Sequence, residues 1–407
     1  MKDPLEEASS QMTRKGAGFS LLLVLAGLVV LAVVRPSTAD TLAIIFGIVA
    51  LIMLHECGHY YAAKRSGMKV TEFFLGFGPR VWSFRRGETE YGVKAIPAGG
   101  YVRILGMNNL EEVDPEDEPR TYRQATVGKR LWTVLAGVTV NFVLAFFLFY
   151  LAIVGPGVAG TTTTLRQIVD GTPAAEAGLQ KGDTIVAVDG RRIESWEDLP
   201  DALADKAGVP TEIVYRRDGQ TQSITVTPDQ RSRTDSTGFL GVSPEQAFEH
   251  YGPIPAVGKS VGVMWETVQG TGEGLANLFS PSGVQQYSEN FTNAPKAGSA
   301  ADQERPRSII GIVDLGSDLV DGNIWALFGL LGAINLIVGL FNLIPLLPFD
   351  GGHAAVAAYE GIASKVQGKR VMVDYQKLIP VSALVLVIFL TLGVSAMVLD
   401  VRGLFNG

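Results

Sequence analysis

Long runs of apolar residues constrain this chain more than any other feature. Crossing the hydrocarbon core of a bilayer takes about 20 consecutive apolar residues in helical form. Five stretches meet or approach that length: Gly16–Val34, Thr41–Ala63, Leu131–Val154, Ile324–Leu347 and Leu378–Leu399. The first follows Arg14 and Lys15, as a signal sequence would. Arg35-Pro36-Ser37-Thr38-Ala39 is a poor small-residue cleavage site, however, so the stretch reads as an additional N-terminal span. A chain of 407 residues that is 47% hydrophobic and only 18% charged fits a polytopic membrane protein better than a soluble enzyme. The net charge of −7 comes without any basic block that could track a phosphate backbone, so no nucleic-acid partner is expected. The lone cysteine, Cys57, excludes an intrachain disulfide and reads as a small apolar helix residue.

Lys and Arg in the flanks set the orientation. Lys64, Arg65 and Lys69 follow the second stretch, and Lys129 and Arg130 precede the third. Lys365, Lys369, Arg370 and Lys377 lie between the fourth and fifth. These flanks are expected in the cytoplasm, with the N-terminus inside and the segment from about Gly155 to Gly322 outside.

Several residues within the spans are costly in lipid. His55, Glu56 and His59 sit in the second, Asn141 in the third, and Asn335 and Asn342 in the fourth, with Asp350 just beyond. A single Asn in a span reads as helix–helix glue, but His, Glu and His together do not. His55-Glu56-Cys57-Gly58-His59 is an H-E-x-x-H motif on a predicted helix. Residues four apart share one helical face, so both imidazoles reach one zinc ion while Glu56 serves as general base. A catalytic zinc site usually takes a third protein ligand. The candidate is Asp350, within Asn342-Leu343-Ile344-Pro345-Leu346-Leu347-Pro348-Phe349-Asp350-Gly351-Gly352-His353. Pro345 and Pro348 must break the helix there, and two glycines permit close approach. An ordinary helix end with a solvated Asp350 is the alternative. His353 reads as a structural or supporting group.

H-E-x-x-H on one span, with N-x-x-P-x-x-x-x-D-G-G near a later one, resembles the site-2 protease family of intramembrane metalloproteases, its bacterial RseP-like branch in particular. The resemblance covers nearly all of Thr41–Leu399. It implies that His55, His59 and Asp350 bind Zn2+ and that Glu56 activates water. Asn342, with Pro345 beside it, would contact the extended substrate or hold the site together. Phe74-Leu75-Gly76-Phe77-Gly78-Pro79 and Ile96-Pro97-Ala98-Gly99-Gly100-Tyr101 resemble the family's membrane-associated β-hairpin, which would put Gly99 and Gly100 beside the substrate. Ala136-Gly137-Val138-Thr139-Val140-Asn141-Phe142 resembles a Gly-Pro-x-x-Asn-Phe segment with Val138 in place of Pro, leaving Asn141 as a further substrate-side residue.

Ile168–Leu179, leading into Lys181–Gly190, resembles a PDZ domain of the bacterial protease type. It would bind peptide termini by strand addition or act as a size gate. The fold class expected is therefore a polytopic α-helical membrane protein of about five spans, with a membrane-associated β-hairpin and an extracytoplasmic α/β PDZ domain. The boundaries run 1–40 for the extension, 41–155 for the first part of the catalytic core, 161–228 for the PDZ domain, 229–322 for an outer amphipathic helix (Pro253–Phe279) with a flexible loop (Gly283–Arg307), and 323–407 for the second part of the core. The acidic run Glu111–Glu118 reads as a solvated linker. Expected partners are the lipid bilayer and single-pass membrane proteins already cut by another protease. The expected site of action is a bacterial inner membrane. A non-enzymatic scaffold and a transporter with discontinuous spans are the rival classes; the intact motif argues against the first, and no inverted repeat supports the second.

Overall fold

In the computed structural model, residues 36–406 are described apart from 156, 170, 197, 233–234 and 293–305. The N-terminal stretch Gly16–Val34 lies outside the described residues. The chain divides into two compact units, one formed by Met1–Ala152 with Ala256–Gly407, the other by Ile153–Pro255.

The first unit opens with α1 (Pro36–Arg65), whose C-terminal turn carries Lys64 and Arg65, favourable charges for that end of the helix dipole. Two long strands follow, β1 (Val70–Arg86) and β2 (Thr89–Ile104). They are not a plain hairpin. Phe73 lies opposite both Val102 and Tyr91, and Phe74 opposite both Tyr101 and Gly92. The first half of β1 therefore has neighbours on both sides, while its second half pairs with the start of β2, from Arg80–Lys94 to Arg86–Thr89. The sheet curls on itself and leaves the end of β2 at an edge. Its apolar side packs below α1 in a cluster of Ala63, Met68, Val70, Ile104, Tyr122 and Val134. Three residues of the acidic run 111–118 are paired where the sequence suggests a solvated linker. Glu111 meets Arg103, Asp117 meets Lys69 and Glu118 meets Arg123, because the chain folds back across the basic ends of the sheet and α1. The next helix, α2 (Val127–Val154), is the second long apolar one.

The second unit contains β3 (Val158–Ile168), α3 (Pro173–Ala177), β4 (Thr184–Val188), β5 (Arg191–Arg192), α4 (Asp198–Ala202), β6 (Thr211–Arg217), β7 (Gln220–Val226), β8 (Asp229–Ser232), β9 (Asp235–Phe239) and β10 (Val242–Glu249). The main sheet has the order β10-β3-β4-β6-β7. The strands β6 and β7 turn at Asp218-Gly219, both with positive φ as a tight hairpin requires. A core of Leu165, Ile185, Val188, Ile213, Val226 and Leu240 fills the unit, and the buried Asp183 takes a two-pronged ion pair from Arg217 at 2.7 Å. The sheet runs past Pro228, where the sequence reading ended the domain, since β10 pairs with β3 from Val242–Ile168 to Glu249–Val158.

The chain returns to the first unit through α5 (Pro253–Leu278), α6 (Pro281–Thr292), α7 (Ile309–Val320), α8 (Ile324–Asn342), α9 (Asp350–Gln367) and α10 (Ile379–Asn406). The amphipathic α5 sets Val263, Met264 and Val268 against Ala145 and Phe149 of α2 and Leu336 of α8. Its apolar face is thus partly protein-covered rather than free for lipid. Residues 283–292, read from their polarity as part of a flexible loop, belong to α6, which has Pro281 at its start and Tyr287 within hydrogen-bonding distance of Ser395 on α10 (2.8 Å). The Asn323 side chain caps α8 by accepting from the amides of Trp325 and Ala326. α8 ends at Asn342, short of the Leu347 drawn from hydropathy, because Pro345 and Pro348 supply no backbone donors. Among the described residues, four helices are long and apolar enough to cross a membrane: α1, α2, α8 and α10.

Candidate metal centre

His55 and His59 lie one turn apart on α1 and are both buried. Their Nε2 atoms are 3.1 Å apart, and each is 3.1 Å from Oδ2 of Asp350. His59 Nδ1 lies 2.8 Å from the Thr133 carbonyl oxygen on α2. A carbonyl only accepts, so Nδ1 carries the proton and Nε2 offers a lone pair inward.

Glycine allows these three side chains to converge. A Cβ on Gly58 would come within 2.8 Å of the Ala136 carbonyl oxygen, so α1 and α2 touch along their backbones at the motif. A Cβ on Gly137 would clash with His59 Nε2 and lie 2.8 Å from Cε1 of His55. Gly137 is therefore the floor of the site. Asp350 opens α9 directly after the broken segment, and that segment wraps the first turn closely. A Cβ on Gly351 would come within 2.5 Å of the Ile344 carbonyl oxygen, and one on Gly352 equally close to Leu346 and Leu347 backbone atoms.

The donor set fits zinc. Two imidazole nitrogens and one carboxylate oxygen form a triangle with 3.1 Å edges. A tetrahedral ion with bonds of 2.0–2.1 Å needs ligand atoms about 3.3 Å apart. No other group of three or more His, Cys, Asp or Glu side chains among the described residues offers such a cluster. Cys57, inside the motif, points outward and is exposed.

The half-buried Glu56 stands beside the edge of the curled sheet: a Cβ on Gly100 of β2 would be 3.4 Å from Glu56 Cγ and 2.8 Å from Met53 Sδ. Gly99, with φ 134°, turns toward the Phe77 ring. The other residues singled out from sequence are arranged differently. Asn141 is 1% exposed and faces α8, where its backbone carbonyl accepts from Asn335 Nδ2 at 2.7 Å. Its own amide atoms have no protein partner among the described residues. Asn342 closes α8 half-buried, and Pro345 lines a separate apolar cavity of about 330 Å³ with Leu347, Val356, Tyr359 and Val381. His353 is not in the triangle; its ring centroid lies 6.4 Å from that of Tyr375. Sequence reasoning passed over Thr133 and Gly137 as functional positions. A carbonyl acceptor leaves no residue signature, and a span glycine reads as a packing residue.

Two histidines and a carboxylate gathered between apolar helices, with a glutamate alongside, define a membrane metallopeptidase. The profile of peptidase family M50 matches residues 43–389, and the chain belongs to that family, the site-2 proteases. It is 36% identical over 401 residues to "Zinc metalloprotease Rip1" of Mycolicibacterium smegmatis, covering 88% of this chain and 97% of the relative. It is 29% identical over 351 residues to "Metalloprotease MmpA" of Caulobacter vibrioides, covering 79% of this chain and 87% of that one. The solved PDZ domain of an SdrC-like protein from Listeria monocytogenes aligns at 22% identity with a TM-score of 0.19, over 21% of this chain and 90% of the domain. The protein is a zinc metalloprotease of the membrane-embedded, site-2 type.

Proposed function

We propose that this protease cleaves single-pass membrane proteins within or beside their transmembrane segments, with His55, His59 and Asp350 holding the zinc and Glu56 as the general base. The observation that carries the reading is the 3.1 Å triangle of His55, His59 and Asp350 between apolar helices, with Glu56 next in sequence to one of its members. Zinc bound there supplies a Lewis acid for the scissile carbonyl and lowers the pKa of water to about 7. Glu56 takes the proton from the attacking water and delivers it to the leaving amine. Thr133 keeps the His59 lone pair turned inward.

A substrate helix has no free backbone donors, so it must unwind before it can be cut. The edge of β2 at Gly99 and Gly100 offers the unwound strand hydrogen-bond partners beside Glu56. Asn342 and Pro345 border the broken segment leading to Asp350 and belong to the same path; Asn141, through Asn335, steadies α2 against α8. On this reading the protein is a multi-pass bacterial inner-membrane enzyme with its N-terminus in the cytoplasm. Unit 153–255 is an extracytoplasmic PDZ domain that binds termini or excludes substrates keeping large outer domains. Substrates are pre-cut by another protease, and anti-sigma factors and remnant signal peptides fit that description.

The test incubates the purified chain and a Glu56→Gln variant with a truncated single-pass substrate, with and without a zinc chelator. The expected result is cleavage by the wild type alone, lost with chelator, while the variant retains one zinc and falls by at least about a hundredfold in rate. A Glu56→Gln variant cutting at the wild-type rate would remove Glu56 from the general-base role.

A further inference from the structure

The helix that delivers Asp350 is held at its far end by a buried ion pair that the chemistry does not use. Arg130, in the first turns of α2, and Glu360, on α9, are 6% and 3% exposed. Arg130 Nη1 is 2.5 Å from Glu360 Oε2, and the other carboxylate oxygen accepts the Val373 amide at 2.6 Å. The Arg130 guanidinium also lies 4.9 Å from the Tyr122 ring centroid. Glu360 is ten residues beyond Asp350, about 15 Å along the helix.

Small residues of α9 lie on the same side. Ala357 is fully buried, Ala354 packs on the cluster containing Val134, and Gly361 backs onto the Val127 side chain. A face of alanine and glycine lets a helix approach closely but does little to fix its rotation or axial position. The segment before α9 is irregular, so the helical register of α8 does not run through it, and its close backbone contacts reach only the first turn of α9, at Gly351 and Gly352. A buried, hydrogen-bonded ion pair contributes little net stability compared with an apolar replacement, and its best-attested use is to specify register. Arg130 and Thr133, three apart on α2, place the anchor of α9 and the carbonyl that orients His59 on the same helix.

We propose that Arg130 and Glu360 are positioning residues, a register lock that sets Asp350 at its distance from His55 and His59. The proposal rests on the metal reading of those three residues. Losing such outer support typically lowers metal affinity about 10–100-fold.

The test uses the full chain in detergent, comparing wild type, Arg130→Met/Glu360→Met and Arg130→Lys. Zinc affinity is read by chelator competition, coordination by the visible absorption of the cobalt-loaded protein, and stability by thermal unfolding of the metal-free protein. The lock predicts that the double variant unfolds no earlier than wild type, yet binds zinc at least tenfold more weakly and shows an altered cobalt spectrum. Arg130→Lys, which keeps the charge but not the guanidinium geometry, should shift both metal readouts in the same direction. Wild-type affinity and spectrum in both variants would overturn the lock. So would metal loss seen only together with a large fall in thermal midpoint in both. Failure of the wild type to bind zinc or cobalt would instead overturn the metal reading beneath it.

Discussion

At the scale of single residues, the site depends on side chains that are missing as much as on those present. Gly137→Ala puts a methyl group in steric clash with His59 Nε2 and Cε1 of both imidazoles, so one or both rings must move. The variant is expected to lose zinc affinity by at least tenfold and proteolysis with it, while Gly128→Ala, with open space around its Cβ, leaves both unchanged. Equilibrium dialysis against zinc separates the two. That His55, His59 and Asp350 come together was legible in the sequence, because spacing and residue type mark such a cluster. The glycines of D-G-G were legible as a close approach, and Gly351 and Gly352 are packed against the backbone of 343–347. Gly137 was not, because its partner is met only when α2 is laid on α1.

At the scale of elements, four of the five apolar stretches coincide with long apolar helices among the described residues, with ends that differ by up to seven residues, since length and composition set the run but not its ends. The curled sheet was not legible in that way. An alternating pattern says which side chains share a face but not that Phe73 has a partner on each side. Polarity likewise misread 283–292, where the helical signal lies in Pro281 just before and a few spaced contacts such as Tyr287. The turn of the sheet is held by Glu88, which takes a two-pronged pair from Arg120 (2.8 and 2.9 Å) and another from Lys64 (2.5 Å). The Arg120 pair, helped by Lys64, holds the Glu88 carboxyl down at about 2, against 4.5 ordinarily. The folded form thus binds the proton later than the unfolded one. The stabilisation is full above about pH 4.5 and is lost as the pH falls through about 2. Glu88→Gln should lower stability at pH 7 by no more than about 1 kcal/mol, the range for part-exposed pairs. It should also flatten the fall in stability between those pH values relative to wild type, as measured by denaturant titration at each pH.

At the scale of the whole molecule, all three members of the triangle and Glu56 lie in the first unit, and the segment 153–255 carries a buried core of its own. Expressed alone, residues 153–255 are expected to unfold in a single cooperative transition and to bind no zinc. A chain with that segment replaced by a flexible linker is expected to keep one zinc, read by metal analysis after gel filtration. The place where the sheet closes was not legible in the sequence, since β10 pairs with a strand from the opposite end of its unit.

The triangle also has a consequence in time. His59 and Asp350 are separated by 291 positions. A ribosome that has already threaded His59 into the bilayer must finish the whole intervening segment before the third side chain exists. During its own biosynthesis the growing polypeptide therefore holds only two of the three side chains of the triangle until Asp350 has been added.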